Sequence, residues 1–255
     1  MASTSVSTSC PDLSPLAAAG VADLVHAVGA RGFTVAEATM MGRLLGEDAL
    51  RDAGTFADSW NDLSLDEYMA DGGRYRRRRH AVFSAEGGEL LRQPHQPHYQ
   101  SLRDNPLNGG VARWFAPVLD DIAGGQTLRS AIRVLTAIAD GRRGRASPWR
   151  VEVHQFRIES RAGEAGQPTP EGMHRDGVDF VLATLIARSN VADGVSTISD
   201  PGGTVLLRVQ LADRFDSMVL EDSRVRHGVS PIQALDPTRP AFRDVLVVTL
   251  AMPRS

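Results

Sequence analysis

The pattern that most constrains the fold lies in the second half of the chain, from Trp149 onward. Short runs rich in β-branched residues alternate there with Gly, Pro and Asp. Such turn residues separate strands, and evenly spaced short strands are typical of an antiparallel sandwich or small barrel. The predicted strands cover residues 151–158, 179–187, 204–211, 217–220 and 243–252.

The first half has a different periodicity. Residues 1–14 are rich in Ser, Thr and Pro and predict a flexible N-terminal tail. Apolar residues at three- and four-residue steps predict two short helices between residues 16 and 45, and further helices over 110–122 and 128–139. We therefore expect one domain over 15–255, mainly β with flanking α-helices: a helical part over 15–145 and a β core over 149–255.

Composition narrows the range of partners. The net charge is −3, from 31 acidic and 28 basic side chains, which favours small neutral or zwitterionic ligands over nucleic acid or an anionic membrane. Cys10 is the single cysteine, so no internal disulfide can form. The N-terminus lacks the features of a signal peptide, and no apolar stretch approaches about 18 residues. These features predict a cytoplasmic protein without a membrane span, and they leave its oligomeric state open.

One short motif predicts a metal site. His174 and Asp176 are two residues apart, so on extended backbone their side chains leave the same face and can reach one ion. His227, in a later β segment, would supply a third ligand. Two imidazoles and one carboxylate are the facial triad of non-haem iron(II) oxygenases, although zinc enzymes use similar donors. An HxD triplet also arises by chance, so the triad alone leaves the metal open.

Arg243 opens the last predicted strand, sixteen residues after His227. A guanidinium matches carboxylate geometry, so Arg243 could bind the far carboxylate of a dicarboxylate whose other end is chelated to iron. Asp244 should point to the opposite face. Arg239, between two prolines, is a weaker candidate for this role. The alternative without a binding role is that Arg243 forms a surface ion pair at the start of the strand.

In this order, HxD, then His, then Arg on the next strand, the sequence resembles the 2-oxoglutarate/iron(II) dioxygenase superfamily. Residues 168–181 are similar to the small bacterial branch that contains L-isoleucine 4-hydroxylase and related hydroxylases of free amino acids. The likeness extends to 105–110, 188–191, 226–232 and 243–248.

The resemblance implies a double-stranded β-helix core, which is a jelly-roll, cupin-like fold. It implies Fe(II) held by His174, Asp176 and His227, with Arg243 binding 2-oxoglutarate. Dioxygen would be the further cosubstrate, and an unactivated C–H of a free L-amino acid or close derivative would be hydroxylated with release of succinate and CO2.

Several other residues are weaker candidates. His95 and His98 each follow a proline, and no carboxylate follows at ligand spacing, so a hydrogen-bonding or substrate-lining role is favoured over ligation. Arg188 and Asn190 end a strand on one face and could bind the substrate's carboxylate or amine. His154 is expected to be a buried, satisfied histidine.

Two other functions remain open. The first is a jelly-roll zinc or manganese hydrolase or isomerase that uses the same three ligands. The second is a non-catalytic binding module that uses the basic run from Arg74 to Arg79. On a strand these arginines would divide between two faces, which favours a solvated ribbon or a contact with a substrate carboxylate over nucleic-acid binding.

Overall fold

The computed structural model describes residues 15–105, 107–161 and 163–253. The predicted tail, with Cys10, lies outside these residues. The α-helices of the described chain are α1 (Pro15–Arg31), α2 (Ala38–Leu45), α3 (Glu47–Asp58), α4 (Asp120–Gly124) and α5 (Gln126–Arg143). The strands are β1 (Phe33–Ala36), β2 (Ser64–Leu65), β3 (Arg76–Glu86), β4 (Glu89–Arg92), β5 (Trp149–Ser160), β6 (Phe180–Ser189), β7 (Val191–Asp193), β8 (Ser196–Ser199), β9 (Val205–Val209), β10 (Ser217–Glu221), β11 (Arg226–Val229), β12 (Ile232–Ala234) and β13 (Ala241–Ala251).

The strands form one large and two small antiparallel sheets. The large sheet has the order β1-β10-β6-β13-β5-β3-β2, with β4 added to β3. The small sheets are β11-β8-β9 and β12-β7. This is the double-stranded β-helix, or jelly-roll, architecture that the sequence predicts, and the chain is mainly β with flanking helices.

Strand alternation separates two faces of the large sheet. On β13, Leu246, Val248 and Leu250 pack into the core beneath the helices, whereas Val245 packs into a second core on the other face. Arg243 has the same parity as Val245, so its side chain lies on the face away from the helices. This inner face carries the functional residues described below.

The helices cover the outer face. α5 buries Leu128, Ile132, Leu135 and Ile138, the stripe that its periodicity predicts. The Asp52 carboxylate of α3 accepts hydrogen bonds from the backbone N–H groups that begin α5, so one helix caps the next. No helix in the described ranges is long and apolar enough to cross a membrane.

Two predictions about the first half are wrong in detail. The segment predicted as two helices contains the strand β1 between α1 and α2, and the predicted helix over 110–122 is short, covering only Asp120–Gly124. The preceding backbone hydrogen-bonds elsewhere: Arg113 pairs with His98, and Val118 N–H donates to His80 O. Those groups cannot also form a helical ladder. In addition, α3 was not predicted from the sequence.

Strand β3 accounts for the basic run. Arg76 and Arg78 are buried on the inner face, and Arg77 and Arg79 lie on the other face, as predicted for a strand. Because β3 and β4 join the large sheet, the segment 15–145 is not purely helical. The single-domain assignment over 15–255 stays a prediction.

Candidate metal centre and its cavity

His174 and His227 lie side by side on antiparallel backbone. The N–H of His174 donates to His227 O at 2.9 Å, and the N–H of His227 donates to His174 O at 3.0 Å. Residues paired in this way project their side chains from the same face. The segment that contains His174 therefore extends the small sheet beside β11, and the two imidazole centroids are 4.4 Å apart.

Asp176 completes the group. Its Oδ1 lies 3.6 Å from His174 Nε2, and its Oδ2 lies 3.5 Å from His227 Nε2. The ligand atoms of the three residues all lie within 4.8 Å of one another, close enough to bind one ion. The spacing of two residues thus places Asp176 beside His174, as the sequence predicts.

Hydrogen bonds orient the potential ligands. His174 Nδ1 is 3.0 Å from Gly172 O, and since a carbonyl only accepts, Nδ1 carries the proton and donates it. The buried Asp222 carboxylate accepts backbone N–H bonds from Asp176 at 3.0 Å, Gly177 at 2.9 Å and Val178 at 3.3 Å. These bonds fix the loop that carries Asp176, as outer partners of metal ligands commonly do.

The electrostatics suit a cation. Burial raises the pKa of Asp176, but the interactions with His174 and His227 outweigh it and hold that pKa well below its usual range. Burial and the charge of His174 lower the pKa of His227 to about 4. For His174, the effect of burial is outweighed by Asp176 and Glu171, which raise its pKa to about 9. An ionised carboxylate thus lies between two imidazoles.

Arg243 is buried on the inner face of β13. Its Nε has no hydrogen-bond partner within the described chain, and Asp244 points to the other face, where it pairs with Arg157 at 2.7 Å. Burial and the like charge of Arg188 lower the pKa of Arg243 to about 10, so the guanidinium stays charged at neutral pH. A buried cation without an anion is costly, and a ligand carboxylate would remove that cost.

These residues share one cavity of about 500 Å³. The potential metal ligands and Arg243 line it, together with apolar side chains from β13 and β6 and a group of charged residues from β3 and β5. The charged lining includes Arg76, Arg78, Arg113, Arg150, Glu152 and Glu171. Volumes in this range hold small-molecule substrates.

A second cluster of possible ligands consists of His80, His98, Glu152 and His154, of which the last three line the same cavity. However, Arg78 Nη2 lies 2.6 Å from His154 Nδ1, and because arginine only donates, the proton of His154 is on Nε2. That nitrogen therefore cannot ligate a metal. The cluster is instead a hydrogen-bonded network around Glu152 Oε2, which lies 2.5 Å from His98 Nδ1 and 3.2 Å from His80 Nε2.

Three predicted substrate contacts are not brought to the cavity. The Arg188 guanidinium donates to the carbonyls of residues 191, 193 and 211, and the Asn190 amide donates to Asp236 O. His95 is exposed and packs against Trp114 at 5.4 Å. None of the three is among the described residues that line the cavity. Arg188 and Asn190 donate their hydrogen bonds to backbone carbonyls, and His95 faces solvent. Arg239, the rival of Arg243, is exposed.

Sequence reasoning missed other residues of the site. For His98 it found no carboxylate at ligand spacing, because Glu152 comes from a distant strand; the hydrogen-bonding role predicted for His98 is nevertheless confirmed. No local sequence signal identifies Asp222 or Arg113 as a residue of the site. Glu152 and His154 did carry one, since they are two apart on a strand and share its inner face, like the HxD pair.

A jelly roll with two imidazoles and one carboxylate at one end of a cavity is the arrangement of a non-haem iron oxygenase. A family model described as 2OG-Fe dioxygenase matches residues 57–249. The chain belongs to this family of oxidoreductases, which use Fe(II), 2-oxoglutarate and dioxygen.

Individual relatives agree. The chain is 25% identical over 206 residues to 3(1)-hydroxy-L-isoleucine 4-dioxygenase of Pantoea ananatis (strain AJ13355), covering 80% of this chain and 82% of that protein. The crystal structure of a bsmA homologue from Methylobium petroleophilum PM1 is similar with a TM-score of 0.82 and 34% identity, over 91% of this chain and 93% of that one. IDO from Bacillus thuringiensis has the same fold, with a TM-score of 0.75 and 16% identity over 100% of this chain and 99% of that one.

Proposed function

We propose that this dioxygenase hydroxylates an unactivated C–H of a free L-amino acid or a close small derivative, with release of succinate and CO2. His174, Asp176 and His227 hold the iron, and Arg243 binds the distal carboxylate of 2-oxoglutarate. One observation carries the proposal: three converging ligand atoms and an unpaired buried arginine line the same cavity.

The donor set fits Fe(II). Because Nδ1 of His174 donates to Gly172 O, Nε2 is the ring nitrogen that faces Asp176 and would bind the metal, giving up its proton as the metal binds. Two imidazoles and one carboxylate leave coordination positions for other ligands. When bound, iron with 2-oxoglutarate and dioxygen supplies the oxidising chemistry; the protein holds these groups and positions the target carbon.

The end of the cavity at Arg243 fits the second carboxylate of a keto-diacid. The charged guanidinium matches a carboxylate in shape and charge. Ser196 Oγ is also buried without a hydrogen-bond partner among the described residues, and it lines the same cavity. We expect this hydroxyl to donate a further hydrogen bond to the same carboxylate.

Two observations favour an amino-acid substrate. The relative from Pantoea ananatis is named for its action on a hydroxylated isoleucine. The cavity also has charged groups of both signs beside an apolar wall of β13 side chains, which suits a zwitterion with an aliphatic side chain.

The zinc or manganese hydrolase hypothesis uses the same ligands but gives no role to the unpaired Arg243. The binding-module hypothesis loses its free basic surface, because Arg76 pairs with Asp66, Arg77 with Glu159 and Arg79 with Asp62. Neither alternative has a structural observation in its favour.

The test is succinate release by the protein with Fe(II), 2-oxoglutarate and ascorbate in air, screened across proteinogenic and common non-proteinogenic amino acids. We expect one or a few amino acids to stimulate succinate formation and to gain one oxygen atom by mass spectrometry. His174→Ala should abolish both signals. A protein that binds zinc at full occupancy and produces no succinate with any amino acid would refute the proposal.

A further inference from the structure

Two buried charged groups in the cavity have unused hydrogen-bonding atoms. Arg113 is 2% exposed, and its Nε has no hydrogen-bond partner among the residues that the structure describes. The Oε2 atom of Glu171 is likewise buried without a partner. One is a donor on a cation and the other an acceptor on an anion, and both side chains line the cavity.

Three other charged side chains of the cavity, those of Arg76, Arg78 and Arg150, do pair with protein atoms. Arg76 Nε is 2.7 Å from Asp66, and Arg78 donates to His154 at 2.6 Å while lying between the rings of Phe115 and Phe156. Arg150 pairs with Glu152 at 2.9 Å.

In contrast, Arg113 makes no ion pair within the described ranges, and its one hydrogen bond to a side chain goes to the neutral Gln100 at 2.9 Å. Burial and the charge of Arg76 lower its pKa, while Glu171 is one of the anions close enough to raise it. No ion pair or hydrogen bond joins Arg113 to Glu171 within the described ranges. Arg113 Nε and Glu171 Oε2 are buried hydrogen-bonding atoms of charged groups, and leaving them without partners is costly unless a ligand binds them.

Both groups flank the metal ligands. Glu171 Oε1 lies 3.5 Å from His174 Nε2. Arg113 donates to the side-chain oxygen of Gln100, whose amide nitrogen lies 3.4 Å from Asp176 Oδ1. A ligand that bridges Arg113 and Glu171 would therefore lie beside the metal centre, where the oxidised carbon must be.

We infer that Arg113 and Glu171 form a subsite for the charged end of an α-amino acid, in which Arg113 binds the α-carboxylate and Glu171 binds the α-ammonium. The assignment rests on the proposed function. It separates two carboxylate sites in one cavity: Arg243 takes the cosubstrate and Arg113 the oxidised substrate.

The assignment predicts which substrate analogues fail. A site built to bind a polar group rejects an analogue without that group strongly, because the site's own buried groups are then left unpaired. With the best amino acid as reference, its amide tests the carboxylate and the matching 2-hydroxy acid tests the ammonium. For the wild-type protein we expect kcat/KM to fall by on the order of 100-fold or more with either analogue.

The experiment measures coupled succinate formation for Arg113→Gln, Arg113→Lys and Glu171→Gln with all three compounds. Arg113→Gln should raise the KM for the amino acid and largely remove the preference for acid over amide, while retaining the preference for ammonium over hydroxyl. Arg113→Lys keeps the charge and should restore part of the acid preference. Glu171→Gln should largely remove the preference for ammonium over hydroxyl, while retaining the preference for acid over amide. Arg77→Gln, on the outer face of β3, is the matched control and should behave like wild type.

Amino-acid turnover by the wild type, with Arg113→Gln retaining its full preference for acid over amide, would overturn the Arg113 assignment and leave the proposed function intact. If Glu171→Gln retains its full preference for the amino acid over the hydroxy acid, the Glu171 assignment is overturned. If the wild type oxidises no free amino acid, the proposed function fails, and this inference fails with it. Calorimetric binding of the amino acid to the anaerobic Fe(II)·2-oxoglutarate protein gives a second readout, in which both Gln variants should bind more weakly than wild type.

Discussion

His174 and His227 exchange backbone hydrogen bonds at 2.9 and 3.0 Å, so the two imidazoles are positioned by main chain. Gly228 makes this close approach possible, because a Cβ at this position would lie 3.0 Å from Gly172 O and 2.9 Å from Met173 Sδ. The sulfur could move, but the carbonyl belongs to the segment that carries His174. The separation of the two histidines therefore depends on a glycine that follows one of them.

We expect Gly228→Ala to push these backbone segments apart and weaken Fe(II) binding by roughly 10-fold, as for loss of an outer partner of a metal ligand. Titration of the protein with Fe(II) under anaerobic conditions measures this. Gly54→Ala in α3, where no atom lies within 4 Å of the added Cβ, is the control. Equal affinity in wild type and Gly228→Ala would contradict the role given to this backbone contact.

Asp222 provides a second test of how the metal centre is built. Asp222→Asn replaces two acceptor oxygens by one, while three N–H groups of residues 176–178 need acceptors. We expect Fe(II) affinity to fall by about 10-fold and the free energy of unfolding to fall by about 1–3 kcal/mol. Chemical denaturation and metal titration on the same samples measure both. A variant that loses stability but binds Fe(II) normally would show that Asp222 supports only the fold.

The placement of His174 beside Asp176, and of Arg243 on the face opposite Asp244, could be predicted from the sequence because strand geometry is local. Two-residue spacing places His174 and Asp176 on one face, and the same alternation separates Arg243 from Asp244. The spacing of turn residues in the second half predicted an antiparallel sandwich or small barrel, and the family resemblance implied the jelly roll.

The rest of the cavity could not be predicted in this way. Arg113 reaches the cavity because its backbone pairs with His98, so a segment with an apolar stripe becomes an irregular edge instead of a helix. The buried face of β3 could not be recognised from the sequence, because it carries Arg76 and Arg78 where an alternating strand would have apolar residues. Pairings between segments that are distant in sequence determine where these arginines lie, and such pairings cannot be predicted from local sequence patterns.

Removal of the Arg243 guanidinium should affect the cosubstrate selectively. Arg243→Ala should raise the KM for 2-oxoglutarate by on the order of 100-fold, since truncation of one partner of a buried charge pair costs about 2–5 kcal/mol. The KM for the amino acid should change much less. Steady-state kinetics with each substrate varied in turn measures this split, and Arg239→Ala, on the exposed turn, is the control. Equal increases in both constants would argue against Arg243 as the cosubstrate's ligand.

The outer side of β13 gives a prediction about stability alone. Arg157 donates two hydrogen bonds of 2.7 Å to the buried Asp244, so Asp244→Asn should lower the free energy of unfolding by about 3 kcal/mol, because it leaves a largely buried guanidinium without its anion. Urea denaturation measures this. Asp48→Asn breaks an exposed pair with Arg51 in α3 and should have no measurable effect. Since Asp244 faces away from the cavity, the KM for 2-oxoglutarate should stay at the wild-type value. An altered KM with unchanged stability would mean that Asp244 acts on Arg243 and not through Arg157.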